Sequence, residues 1–166
     1  MLQDELKALQ APLKERYRED AATALVTLSA TGDLTEGLTC SVQTGRALVE
    51  AGLHPATGGS GMAVCSGDML LQALVACAGV TMQAVATSMG ITIASGSITA
   101  DGDLDFRGTL GVDKEAPVGF SDIRLSFDVQ SDADADALAT LLRLTERYCV
   151  VLQTLRTAPT VTAALV

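Results

Sequence analysis

From Ser66 to Gly90 the chain reads SGDMLLQALVACAGVTMQAVATSMG, and apolar residues fall on nearly every face of the long helix this pattern predicts. Ser66 is placed to cap the first turn, and Asp68 just inside it suits the positive end of the helix dipole. Gly90 stands where a left-handed residue ends a helix. A helix apolar all round has to be covered all round, so the rest of the chain is expected to wrap this one. At about 1.5 Å per residue the segment is roughly 35 Å long, which is also enough to cross a bilayer. Gln72, Thr81, Gln83, Thr87 and Ser88 interrupt it, however, and no Lys or Arg cluster flanks either end, which favours a buried core helix. Its many small residues, among them Ala73, Ala76, Ala78 and Gly79, leave room for another backbone to approach closely.

The surrounding pattern predicts shorter elements. Leu2–Arg18, within residues 1–20, has the apolar stripe of an amphipathic surface helix (Leu2, Leu6, Leu9, Leu13, Tyr17). Ala22–Gly32 alternates as a strand, Asp33–Gly37 has turn composition, and Leu38–Thr44 and Arg46–Glu50 are expected as further strands. Ala51–Gly67 is rich in glycine and reads as a loop entering the long helix. After Gly90 a strand is expected through Ala100, a turn at Asp101–Asp103, and a short strand at Phe106–Val112. A loop follows at Asp113–Gly119. Phe120–Gln130 alternates most clearly, with Ile123, Leu125, Phe127 and Val129 on one face. In residues 131–156, Ser131 is expected to cap a helix with Asp132, Asp134 and Asp136 in its first turns. Leu138, Leu141, Leu142, Thr145 and Cys149 form its stripe, which reaches Leu152, and a last strand is expected at Thr160–Val166. This order predicts one α+β domain over residues 1–166, with mostly antiparallel sheet.

The apolar share of 48% gives an aliphatic core, since aromatics make up only 3%. A net charge of −9 excludes a nucleic-acid partner and argues against anionic membranes, both of which need clustered Lys and Arg. The opening MLQDELKALQ is not a secretory signal, so a cytoplasmic location with reduced thiols is expected. Four cysteines (Cys40, Cys65, Cys77, Cys149) form no CxxC pair, and His54 is the only histidine, so neither a metal nor another cofactor is expected. GGSGMAVCSG lacks the lysine of a phosphate loop, and no serine stands in a nucleophile elbow. The two cysteines on predicted helices, Cys77 and Cys149, are left either as inert core thiols or as a redox pair. Arg143, Arg147 and Arg156 flank Cys149 and would favour a thiolate there. Cys65, in the loop, reads as an ordinary loop thiol or an exposed reactive one.

Two segments carry a resemblance. LLQALVACAGVTMQAVATSMGI, with Ala76-Cys77 in mid-helix, and LATLLRLTERYCVVLQTL, with Tyr148-Cys149, are similar to the two cysteine-bearing helices of the OsmC/Ohr family of osmotically inducible and organic hydroperoxide resistance proteins. The resemblance runs from about Ala22 to the end. It implies an OsmC-like α+β fold and an intertwined homodimer, in which two sheets wrap two central helices and active sites lie at the subunit interface. It also implies a stress-response peroxidase for organic hydroperoxides, in which Cys77 becomes a sulfenic acid and Cys149 closes the disulfide. A dithiol or lipoylated protein would be the reductant, with no metal or haem. The family's acidic residue maps nearest to Asp68, but nine residues before Cys77 is about two and a half turns, on the opposite helix face, so a capping role competes. The family's arginine maps first to Arg46, with Arg16 and Arg18 behind it. The usual proline after the second cysteine is Val150 here. The alternative is a non-catalytic dimer of the same fold that binds an apolar small molecule at the interface.

Overall fold

A computed structural model describes residues 2–5, 8, 10, 11, 19, 32–34, 39–44, 47–111 and 113–165. Its elements are β1 (Gly32–Leu34), β2 (Thr39–Thr44), β3 (Ala47–Gly52), β4 (Val64–Cys65), α1 (Ser66–Met89), β5 (Ile93–Leu104), α2 (Phe106–Thr109), β6 (Phe120–Ser131), α3 (Ala135–Tyr148) and α4 (Val150–Arg156). Residues 3–5, 8, 10, 11 and 19 are helical, while the strand expected at Ala22–Gly32 and the candidate Arg46 lie outside the described residues, apart from Gly32. Contacts divide the chain into two compact units. One holds Met1–Leu13, Ala73–Thr99 and Ser126–Val166, and the other holds Lys14–Gln72 and Ala100–Leu125.

In the second unit β1, β2, β3 and β4 form one sheet in that order, antiparallel except for the short parallel pairing of β4 with β3 through Ala51 and Val64. Gly32–Leu34 extends as a strand where turn composition placed Asp33, because β2 offers a ladder to its backbone groups at Cys40–Val42. The glycine-rich loop is also more ordered than its composition implies. It contains a 3-10 turn, Pro55–Thr57, capped by the His54 side chain, and it ends in β4.

β5 and β6 pair as a two-stranded sheet. The Ser131 hydroxyl donates to the Thr92 carbonyl at 2.8 Å near one end, and the Ser121 hydroxyl donates to the Asp103 carbonyl at 3.1 Å near the other. Three expectations fail around it. Asp101–Asp103 lies inside β5, because β6 pairs with it and the ring of Phe120 lies against Gly102, where a Cβ would come within 2.5 Å of it. Phe106–Thr109 is a helical turn rather than a strand, because the Asp105 carboxylate accepts the Arg107 N–H at 3.0 Å and caps it. Ser131 ends β6, and the cap of α3 is Asp134, whose carboxylate accepts the Ala137 N–H at 2.7 Å. The alternation of β6 is as expected: Ile123, Leu125, Phe127 and Val129 are the sheltered positions.

In the first unit the core is Met82, Ala86 and Leu141, with Phe127, Val129, Ile93 and Leu138 packed against them. On α1 only one stripe at four-residue spacing is buried, Leu74, Ala78, Met82 and Ala86. Val80 stays 73% exposed. Among the described residues the all-round cover expected for this helix is therefore absent, although Gly90, with φ of 73°, ends it where the sequence indicated. The last expected strand is also absent: residues 158–165 have no regular structure and Val161 is 82% exposed. A strand there would need a partner ladder, and the described chain offers none.

Candidate active site

Helix α1 carries Cys77 at its middle, and the junction of α3 and α4 carries Cys149. The sequence pattern runs one helical stripe through that junction, but the structure breaks it. Cys149 is extended (φ −71°, ψ 105°), ending α3 and serving as the N-cap of α4. Two contacts clamp the break. The Gln153 side-chain amide donates to the Glu146 carbonyl at 2.7 Å, satisfying one of the acceptors a helix end leaves open, and Arg156 pairs with Glu146 at 3.2 Å. The kink turns the first N–H groups of α4, which have no partner within that helix, toward sulfur.

The two thiols are neighbours, each among the groups that shift the other, and their ionisation is pushed apart. Burial alone would raise Cys77. The Val151 N–H, the Cys149 thiol, the Thr81 hydroxyl and the Val150 N–H outweigh it, holding Cys77 below the ordinary thiol value of 9.0. For Cys149 burial, helped by the adjacent Cys77 sulfur, outweighs the Leu152 and Val151 N–H groups and keeps it above 9.0. Cys149 is fully buried and Cys77 partly so. Of the two, Cys77 is the thiol that ionises more readily and Cys149 the one that holds its proton more tightly. A split of this kind between two neighbouring titratable groups is the pattern found at functional sites.

Of the other predicted residues, Arg46 lies outside the described residues. Asp68 is an exposed first-turn residue that lines a cavity with His54 and Cys65 in the second unit. Cys40 lies on β2 opposite Ala51. Of the arginines near Cys149, Arg156 pairs with Glu146, and Arg147 lies over the Tyr148 ring at 5.7 Å from its centroid. The pattern reading missed Thr81 and the Val150 and Val151 amides. Thr81 was signalled by its spacing, four residues after Cys77 on the same helix face. The amides carry no side-chain signal at all. Alongside the same stretch of α1 runs an apolar cavity of about 370 Å³, lined by Val75, Gly79, Val80 and Ile98 among others.

Comparison with known proteins gives a family and a fold. A family model described as OsmC-like protein matches residues 58–164. Among solved structures, an OsmC-like protein from Mycoplasma pneumoniae superposes with a TM-score of 0.67 at 18% identity, covering 80% of this chain and 89% of that one. An organic hydroperoxide resistance protein OsmC from Legionella pneumophila gives 0.59 at 16% identity, over 80% and 91% of the two chains. An organic hydroperoxide resistance protein from Elizabethkingia anophelis gives 0.57 at 16% identity, over 81% and 91%. No curated protein matches. At these identities the structural likeness speaks to the fold alone.

Proposed function

Because this chain belongs to the OsmC-like family, we propose that it is a thiol peroxidase for organic hydroperoxides, with Cys77 as the attacking thiolate and Cys149 as the resolving thiol. The observation that carries this reading is the neighbouring pair itself, a lowered thiol against a raised, buried one. Two structural relatives bear the name organic hydroperoxide resistance protein, which supports the substrate class.

The chemistry follows from the charge arrangement. The Cys77 thiolate attacks the terminal oxygen of ROOH, an S–O bond forms, the O–O bond breaks, and the departing alkoxide takes up a proton and leaves as ROH. The Val150 and Val151 N–H groups and the Thr81 hydroxyl hold the ground-state anion in place, and the Cys149 thiol is the proton source closest to it. Cys149 then attacks the Cys77 sulfenic acid. An S–S bond forms, the S–O bond breaks, and the sulfenic oxygen leaves as hydroxide that takes a proton from solvent, the Cys149 proton having gone to the alkoxide. An external dithiol, a lipoylated protein among them, reduces the disulfide by exchange. The apolar cavity beside α1 suits the alkyl part of such a peroxide.

The active unit in this reading is a homodimer. The exposed apolar face of α1 around Val80 is what a second copy would cover, and Arg46 is the residue proposed to orient the O–O bond there. Asp68 is proposed as a helix-dipole residue only. The decisive experiment is peroxidase turnover with tert-butyl hydroperoxide and dithiothreitol in the wild type, Cys77→Ser and Cys149→Ser. Loss in Cys77→Ser, with a single turnover retained in Cys149→Ser, is expected. Undiminished turnover in a folded Cys77→Ser would overturn the role of Cys77, and no turnover in the folded wild type would leave the binding-protein reading in its place.

A further inference from the structure

The second unit contains a concavity that the peroxide chemistry does not use. Two adjoining cavities, of about 320 and about 380 Å³, share His54, Cys65, Gly67, Leu104, Phe106 and Phe120 in their walls. These volumes fall in the range of small-molecule sites. Leu53, Leu70 and Val118 also line the larger cavity and are exposed, Val118 by 66%, which puts apolar surface in water at its mouth.

The one polar ring in this wall is fixed. The Ala56 N–H donates to His54 Nδ1 at 3.1 Å, and the His54 carbonyl accepts from the Thr57 N–H at 2.8 Å and its hydroxyl at 2.9 Å. Since Nδ1 accepts, the neutral ring carries its proton on Nε2 and presents a donor there. The ring is also stacked on Phe106, with centroids 4.9 Å apart and planes 15° from parallel. A glycine keeps the space open: a Cβ on Gly67 would enter it at 3.4 Å from Phe120, 3.6 Å from Leu104 and 3.7 Å from the Cys65 sulfur.

We propose that this concavity is a second binding site, which takes a small aromatic or otherwise compact apolar molecule bearing one hydrogen-bond acceptor oxygen. Leu53, Leu70, Val118 and Phe120 in the larger cavity take the body of the ligand, Asp68 and Asp103 line the smaller one, and His54 Nε2–H donates to the ligand oxygen. Binding here is independent of the Cys77–Cys149 pair.

Because His54 is the only histidine, its imidazole signals report on the site without ambiguity. The test is an NMR titration of ¹⁵N-labelled full-length protein at pH 8, with acetophenone as the probe and ethylbenzene as the same ring without an acceptor. Acetophenone is expected to move His54 Nε2 saturably and to slow iodoacetamide labelling of Cys65 at least fivefold. Ethylbenzene should bind at least fivefold more weakly and leave Nε2 unmoved. Gly67→Leu, which fills the space, should abolish both acetophenone effects, and Gly67→Ala serves as a folded control at the same position. No saturable shift in the wild type overturns the proposal, and so does an unchanged shift in a folded Gly67→Leu. Equal binding of ethylbenzene overturns the donor role of His54. Peroxidase activity lost or kept in any of these proteins bears only on Cys77.

Discussion

Replacing Val150 by proline tests whether a backbone amide activates Cys77. Proline fits the local geometry: Val150 is the first residue of α4, and Cys149 before it is already extended at ψ 105°. The substitution removes one N–H and little else. That N–H is one of the groups that hold Cys77 down, and the Val151 N–H, the Cys149 thiol and the Thr81 hydroxyl remain. A hydrogen bond to a charged acceptor is worth about 1.5–3 kcal/mol, and this one falls below that range because sulfur is a soft acceptor and Cys77 is partly exposed. The Val150 N–H is the weakest of the groups that hold Cys77 down, so the titration midpoint of Cys77 should rise and its labelling rate at neutral pH should fall about two- to threefold. The assay is iodoacetamide labelling of the Cys77 peptide against pH in reduced protein, with Val150→Ala as the variant that keeps the N–H. An unmoved midpoint in Val150→Pro with intact helix content would refute the amide's role. An equal shift in Val150→Ala would assign the effect to the side chain.

Three further outcomes follow from the same structure. Folding favours the ionised form of Cys77, so its stabilisation is complete above pH 9.0 and is lost as pH falls through its lowered folded value. Cys149 is raised, so its contribution is complete below 9.0 and is lost as pH rises through its folded value. The Tm of reduced protein minus that of the Cys77→Ser, Cys149→Ser double variant should therefore climb toward pH 9 and fall beyond it; a flat difference contradicts the pairing. Leu141→Ala empties the centre of the first unit's core, where Leu141 is 1% exposed, and should cost about 3 kcal/mol, or a Tm lower by roughly 6–12 °C. Gly102→Ala forces a Cβ within 2.5 Å of the Phe120 ring and should cost about 1–3 kcal/mol in chemical denaturation; an unchanged midpoint would show that the ring gives way freely.

Periodicity made the long elements legible. α1 and β6 carry their patterns over many residues, and the stop at Gly90 follows from its positive φ. Short segments were decided by single hydrogen bonds that pattern does not register. The Asp105 cap turned Phe106–Thr109 into helix, and the β6 ladder overrode the turn composition of Asp101–Asp103. The helix cap moved from Ser131 to Asp134 because β6 runs on through Ser131. At the candidate site the cysteines were readable from their place on helices and from family resemblance. The break at Cys149 was not, since a valine follows it where a proline would have signalled a stop. The N–H groups that face Cys77 belong to backbone and are invisible to side-chain reasoning. The exposed side of α1 reverses the expectation of full cover for a simple reason: hydrophobicity along a chain says that a face is to be buried, not whether its own chain or a second copy does so.

The most direct measurement is the thiol state of the reduced protein before and after one equivalent of cumene hydroperoxide, read by peptide mass mapping without reduction. A peptide pair linked through Cys77 and Cys149, formed within the mixing time and reversed by dithiothreitol, is the predicted result. Unmodified Cys77 and Cys149 in folded protein would contradict it.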